Sequence, residues 1–238
     1  MSRRSRTSGS VTRSIAVVPE LVVVTGPIGS GKSSVTKMLG DRLKEAGRSA
    51  AVVDLDDIVA MLHAPLENVG QSWERARDVH GRLVGEWLSS GVDVVIVDGP
   101  FYSQSETAAL MQCVPTGIAA HRVMLLSTYE MALARVSGDP TRGVSKDPAI
   151  LRLLYEEFAR ELPNIDPCEW TFDTAECSVG DVVTTVARVL LEGRRPQSAA
   201  SAFRNGDGSG VDQLTIGCGL PSPGLKCCII RSNTDRSS

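Results

Sequence analysis

The octapeptide Gly26-Pro27-Ile28-Gly29-Ser30-Gly31-Lys32-Ser33 follows the apolar run Leu21-Val22-Val23-Val24 and opens a helix-compatible stretch. It matches the pattern G-x-x-x-x-G-K-[ST] in the strand-to-helix setting that the mechanism of that pattern requires. Its glycines let the backbone turn tightly and aim several N–H groups at phosphate oxygens. The helix that begins near Lys32 adds the positive end of its dipole to the same anion. Lys32 is expected to hold the terminal phosphates and Ser33 to place its hydroxyl on Mg2+. With Ser34, the segment therefore reads as a nucleoside triphosphate site, and ATP with Mg2+ are the expected cofactors. The alternative is a glycine-rich turn that only closes a strand-helix connection.

Short apolar runs rich in Val or Leu recur downstream at Ala50 to Leu55, Val92 to Val97, Arg122 to Ser127 and Trp170 to Phe172. With Leu21 to Thr25 they have the form of strands buried on both faces. Helical stretches alternate with them: Ser33 to Ala46, Gln71 to Ser90, Tyr129 to Val136, Pro148 to Glu161 and Val179 to Glu192. Gly47 and Gly91 suit left-handed caps after the first two. The alternation predicts an α/β fold with a five-stranded parallel sheet and helices on both faces. Ligands on such sheets gather at the carboxyl ends of the strands.

Two of those ends carry carboxylates. The second strand runs out into Asp54-Leu55-Asp56-Asp57. Three acids leaving one strand end repel one another unless they are solvated or near a cation. While the chain stays extended, Asp54 and Asp56 face the same side. Asp54 is assigned to the magnesium, through a water, and Asp56 to the acceptor hydroxyl as orienting group and base. Asp57 is expected to cap the following helix. The third strand ends in Asp98 before Gly99-Pro100, the form of a metal-holding aspartate in such enzymes. Solvating and capping a turn is the alternative for all of these acids. Phe101 and Tyr102 follow Asp98, either walling a substrate pocket or packing beneath a lid.

Charge and composition exclude some partners. The chain of 238 residues carries 25 basic and 28 acidic residues. Residues 1–18 hold four arginines and no acid, and residues 194–238 hold six basic and three acidic groups. The body between them thus has 15 basic against 25 acidic residues, a net charge near −10. That weighs against a nucleic-acid partner. No apolar stretch reaches the roughly 18 residues that a membrane-spanning helix needs. Residues 1–18 and 194–238 read as disordered tails around a domain at 19–193. Cys113, Cys168, Cys177, Cys218, Cys227 and Cys228 form no C-x-x-C pair, and they read as reduced thiols of a cytoplasmic protein.

Taken together, Gly26 to Ser33, the Asp54-x-Asp56 exit and Asp98 resemble the P-loop small-molecule kinases, a group that includes shikimate kinase, gluconate kinase and chloramphenicol phosphotransferase. The resemblance implies the three-layer P-loop sandwich and a small lid, here at about 137–147. In that family lid arginines cover the phosphates, which implies such a role for Arg135 and Arg142. Asp98-Gly99-Pro100 departs from the multiple-glycine strand exit of shikimate kinases. Asp173-Thr174 resembles the segment near the adenine, with helix capping by Thr174 as the alternative. The implied function is ATP-dependent phosphorylation of a hydroxyl on a small molecule, with Lys32, Asp56, Arg135 and Arg142 as the catalytic set. A nucleoside, nucleotide or polynucleotide-end kinase and an ATP-binding regulatory NTPase are the alternatives. The acceptor, the oligomeric state and any preference between ATP and GTP are not legible.

Overall fold

The computed structural model describes residues 18–65, 68–140 and 144–192. Strands β1 (Glu20–Thr25), β2 (Ala50–Asp54), β3 (Val94–Asp98), β4 (Ala119–Leu126) and β5 (Trp170–Asp173) form one parallel sheet in the order β2-β3-β1-β4-β5. Among the described residues the helices are α1 (Lys32–Glu45), α2 (Leu55–Met61), α3 (Val69–Ser89), α4 (Gln104–Gln112), α5 (Tyr129–Gly138), α6 (Pro148–Glu161) and α7 (Val179–Glu192). The expected α/β class and the five parallel strands are present. Helix α4 was not expected, and α2 was expected only as a helix following Asp57, whereas it starts at Leu55.

Alternation along β1 explains why the sheet needs cover on both sides. Val22 and Val24 pack with Val35, Leu39 and Leu43 of α1 and with Val182, Val186 and Leu190 of α7. Leu21 and Val23 face the other way, toward Val84 and Leu88 of α3 and Leu110 of α4. All four β1 side chains are at most 3% exposed, and burying each contributes about 1.5–3 kcal/mol relative to exposure. Parallel register then sets the site. Val24 of β1 stands beside Asp98, and Asp54 of β2 stands beside the same Asp98.

At the opposite ends of the strands, a polar network ties the layers together. Buried Arg48 donates to the Leu190 carbonyl, to Glu20 and to the Asp93 carbonyl. His121 bridges Glu20 and Glu169 at 3.3 and 2.8 Å and stacks on Trp170. The hydrogen bond to Glu20 holds His121 above its ordinary pKa against the opposing effect of burial, and Glu169 adds to it. Burial pushes Glu20 up, but bonds from His121 and Arg48 outweigh it and hold the carboxyl low. The sign follows from linkage. The His121 contribution is complete below its unfolded pKa and is lost as pH rises through its raised folded value, whereas the Glu20 contribution is lost as pH falls through its depressed one. His121→Phe keeps a ring on Trp170 and removes both bonds. At pH 6 it is expected to cost about 1–2 kcal/mol, roughly 2–8 °C in Tm, with a smaller loss above pH 8. Thermal melts at the two pH values check this, and an equal loss at both would contradict it.

Residues 1–17 and 193–238, which hold nearly all of both expected tails, lie outside the described residues, as do positions 141–143 of the expected lid. Cys113 and Cys168 are thiols. Cys177 is disulfide-bonded, which corrects the expectation of six reduced cysteines. No helix among the described residues is long and apolar enough to cross a membrane.

Candidate phosphate-binding and transfer site

The turn between β1 and α1 is possible only with glycine at two of its positions. Gly26 has φ 144°, and a Cβ there would collide with the Leu125 carbonyl oxygen. Gly29 has φ 74°, and a Cβ would come within 2.9 Å of Ala132 on α5. The loop therefore passes tightly between β4 and α5. Its carbonyls are turned outward onto side chains. Lys32 Nζ donates to Gly26 O at 2.9 Å and to Pro27 O at 3.2 Å. The Tyr102 hydroxyl donates to Gly26 O at 2.8 Å, and the Tyr155 hydroxyl to Ile28 O at 2.9 Å. Arg135 Nη1 donates to Gly29 O at 2.8 Å.

On the other side of Lys32, four oxygen-bearing side chains converge in two hydrogen-bonded pairs. Ser33 Oγ donates to Asp54 Oδ2 at 3.1 Å, and Thr36 Oγ1, one helical turn on, donates to Asp98 Oδ2 at 3.1 Å. Asp98 is 2% exposed. Burial and then the neighbouring Asp54 charge push its pKa up to about 7, with Lys32 opposing. Two carboxylates side by side in a partly dry pocket are poorly balanced by one ammonium. A hard divalent cation corrects that imbalance. The donor set of Ser33, Asp54 and Asp98 is all oxygen, which suits Mg2+ completed by phosphate oxygens and water. Among the described residues no three His, Cys, Asp or Glu side chains converge as a protein-only metal cage.

Several expectations about orientation fail here. Strand β2 stops at Asp54 and α2 starts at Leu55, so Asp54 and Asp56 are not related by extended-chain parity. Asp54 itself caps α2, its Oδ1 accepting from the Asp56 amide at 2.8 Å. The cap is therefore Asp54 and not Asp57. A helical first turn shortens the exit because it satisfies the amides that an extended exit would leave open. Asp56 is exposed at that turn, two residues beyond Asp54.

Arg135 is positioned from α5 by two loops at once. Besides Gly29 O, it donates to Thr174 Oγ1 and Thr174 O, both at 3.0 Å. Thr174 Oγ1 also donates to Leu126 O at 2.9 Å, while α7 is capped by Ser178 and Asp181. Thr174 is thus a loop clasp and not a helix cap. A cavity of about 420 Å³ opens between these elements, lined by Gly31, Ser34, Arg135, Thr174, Val179 and Val182 among others. Ser30 and Gly29 also face it. Arg142 lies outside the described residues.

Four further residues around these elements are placed by the structure. Phe101 is 2% exposed and belongs to the core, its ring 5.9 Å from that of His80. His80 is buried and bonded to the Val53 carbonyl, and burial lowers its pKa. It is a neutral core histidine, whereas Arg75 and Arg82 on the same helix are exposed. Thr36 had a usable signal, its one-turn spacing from Ser33. Tyr155 had none, being 127 residues from its partner Ile28.

An AAA-domain family model matches residues 21–138, the span from β1 through α5. No curated protein matches the chain. Among solved structures, the gluconokinase from Sinorhizobium meliloti is 20% identical, with 74% of this chain and 94% of that chain covered and a TM-score of 0.50. The tunicamycin resistance protein of Deinococcus radiodurans is 16% identical, with 72% and 95% covered and a TM-score of 0.52. The shikimate kinase from Bacteroides thetaiotaomicron is 16% identical, with 72% and 98% covered and a TM-score of 0.51. At such identities the likeness is one of fold.

Proposed function

We propose that the chain is a P-loop small-molecule kinase, an ATP-dependent phosphotransferase acting on a hydroxyl group of a small molecule, a reading supported by the match of residues 21–138 to an AAA-domain family model and by the fold shared with solved kinases. The observation that carries this reading is the placing of Asp56 on the first turn of α2, next to the Ser33, Asp54 and Asp98 cluster and the Lys32 loop. A carboxylate at that place is suited to take the proton of an acceptor hydroxyl, a role that nucleotide binding alone does not require.

The amides of the glycine loop and Lys32 Nζ hold the phosphates. Ser33 and Asp54, with Asp98 behind them, would hold Mg2+, which supplies positive charge to the phosphate oxygens. Asp56 accepts the proton of the attacking hydroxyl as its oxygen bonds to the terminal phosphorus and the bridging oxygen leaves with ADP. Arg135, pinned between Gly29 and Thr174, is proposed to hold nucleotide from the side of the 420 Å³ cavity. Arg142 is proposed to supply a second guanidinium during transfer. Positioning and fixed charge account for the rate in this scheme.

The test is acceptor-stimulated ADP release by purified protein across a panel of hydroxyl metabolites and hydroxyl-bearing antibiotics. The expected result is stimulation by a restricted set, with phosphate found on the acceptor. ADP release indifferent to every compound, or nucleotide bound without turnover, would favour the regulatory alternative.

A further inference from the structure

We propose that Glu106, by holding Arg77, selects the charge of the acceptor: a hydroxyl compound that is neutral or carries an amine is taken, and one that carries a carboxylate, sulfate or phosphate is refused. The proposal rests on the kinase reading above and gives it a substrate class.

Tyr102 links the phosphate loop to this pair. Its hydroxyl donates to Gly26 O at 2.8 Å, and its own amide donates to Glu106 Oε2 at 3.0 Å. The pair therefore stands one tyrosine away from the loop, at the carboxyl end of β3 where acceptors meet such sheets. Arg77 reaches this place from α3 and pairs with the other carboxylate oxygen, Oε1. Its guanidinium lies 5.7 Å from the centre of the Trp73 ring, and its Nε is buried with no hydrogen-bond partner. A guanidinium fork is the group best suited to gripping an anionic acceptor. Here its charge is already met.

Glu106 cannot easily give the arginine up. Its Oε2 takes both the Tyr102 and the Ser103 amides, and the Glu106 amide donates to Ser103 Oγ, which closes a capping box on α4. Releasing Arg77 to an incoming anion would leave the carboxylate uncompensated, and swinging Glu106 away would unmake the first turn of α4. The other acids whose fields reach Tyr102 have the same sign. Burial is the largest influence pushing its phenol up, followed by Tyr155, Glu106, Asp56 and Glu157. Arg75 and Arg82, the other cations on α3, lie exposed. An ammonium group meets attraction in this setting, and an acid meets repulsion.

The experiment has two arms on the full chain. In the first, ADP release is measured with a hexitol, a 2-amino-2-deoxyhexitol and a hexonate. Wild type should favour the first two by about tenfold or more in kcat/KM, the effect of roughly one unmatched charge at a partly screened site. Glu106→Gln keeps an amide that can close the capping box but frees the guanidinium, and should raise the relative kcat/KM for hexonate by about tenfold. In the second arm, the loop is filled with Mg-ADP, and sodium sulfate is compared with sodium chloride at equal ionic strength by thermal shift. Wild type should not distinguish the salts, Glu106→Gln should be raised by sulfate, and Glu106→Gln with Arg77→Met should lose that response. A wild type that prefers hexonate, or a sulfate response that the Glu106 substitution does not change, overturns the proposal. If the sulfate arm behaves as expected and no compound of the wider hydroxyl panel stimulates ADP release, the kinase reading fails and acceptor selection with it, while the holding of the Arg77 charge by Glu106 stands. If ADP release is stimulated and Glu106→Gln leaves the acceptor order unchanged, the charge assignment alone fails.

Discussion

Lys32→Ala is expected to lower phosphoryl transfer by on the order of 10²–10³-fold, the scale for losing one preorganised charge-stabilising donor. It should also weaken ATP binding. The ammonium arches over the loop from the first residue of α1, bonded to Gly26 O and Pro27 O, so it stands where backbone amides alone would leave the terminal phosphate charge unmatched. Lys32 takes no part in the apolar clusters that join α1 to the sheet, which run through Val35, Leu39 and Leu43. Tm of the purified variant should therefore move little. Turnover equal to wild type in a folded variant would remove the phosphate-loop assignment altogether.

Asp56→Asn is expected to leave ATP affinity nearly unchanged and to reduce transfer by about 100-fold or more, the usual scale for a positioned base. The separation of effects follows from location. Asp54 takes the Ser33 hydroxyl and caps α2, whereas Asp56 gives its amide to that cap and is itself exposed on the turn. Asparagine at position 56 keeps the amide, so the cap survives. Asp54→Asn, by contrast, should weaken nucleotide binding in the presence of Mg2+. Isothermal titration with an ATP analogue and single-turnover transfer assays distinguish the two, and equal transfer rates for wild type and Asp56→Asn would turn the reading toward a regulatory NTPase.

Local chemistry made the phosphate loop and the strands legible. The loop is eight consecutive residues, and a parallel strand buried on both faces is a continuous apolar run whose signal needs no partner. The exit from β2 was misread because Asp54-Leu55-Asp56-Asp57 fits an extended exit as well as a capped helix, and only the bond from Asp54 to the Asp56 amide decides between them. Helix α4 carried a readable mark, Ser103 followed three residues later by Glu106, which is a capping-box signature. Its weak amphipathic pattern hid it, since Leu110 is its one buried residue. Contacts such as Tyr155 with Ile28, or Arg77 with Glu106, join segments distant in sequence and leave no trace in spacing.

The outward-turned carbonyls of the phosphate loop make it a strung structure. Gly26, Ile28 and Gly29 are each moored to a side chain from a different region: Tyr102 beyond β3, Tyr155 on α6 and Arg135 on α5. A loop held this way has already lost the torsional freedom that an unmoored glycine loop would surrender when an anion arrives, so less of the binding energy goes into ordering it. The same moorings act as levers. Any shift of α5 or α6, the helices on either side of residues 141–143, pulls on the carbonyls of the segment proposed to grip the phosphates.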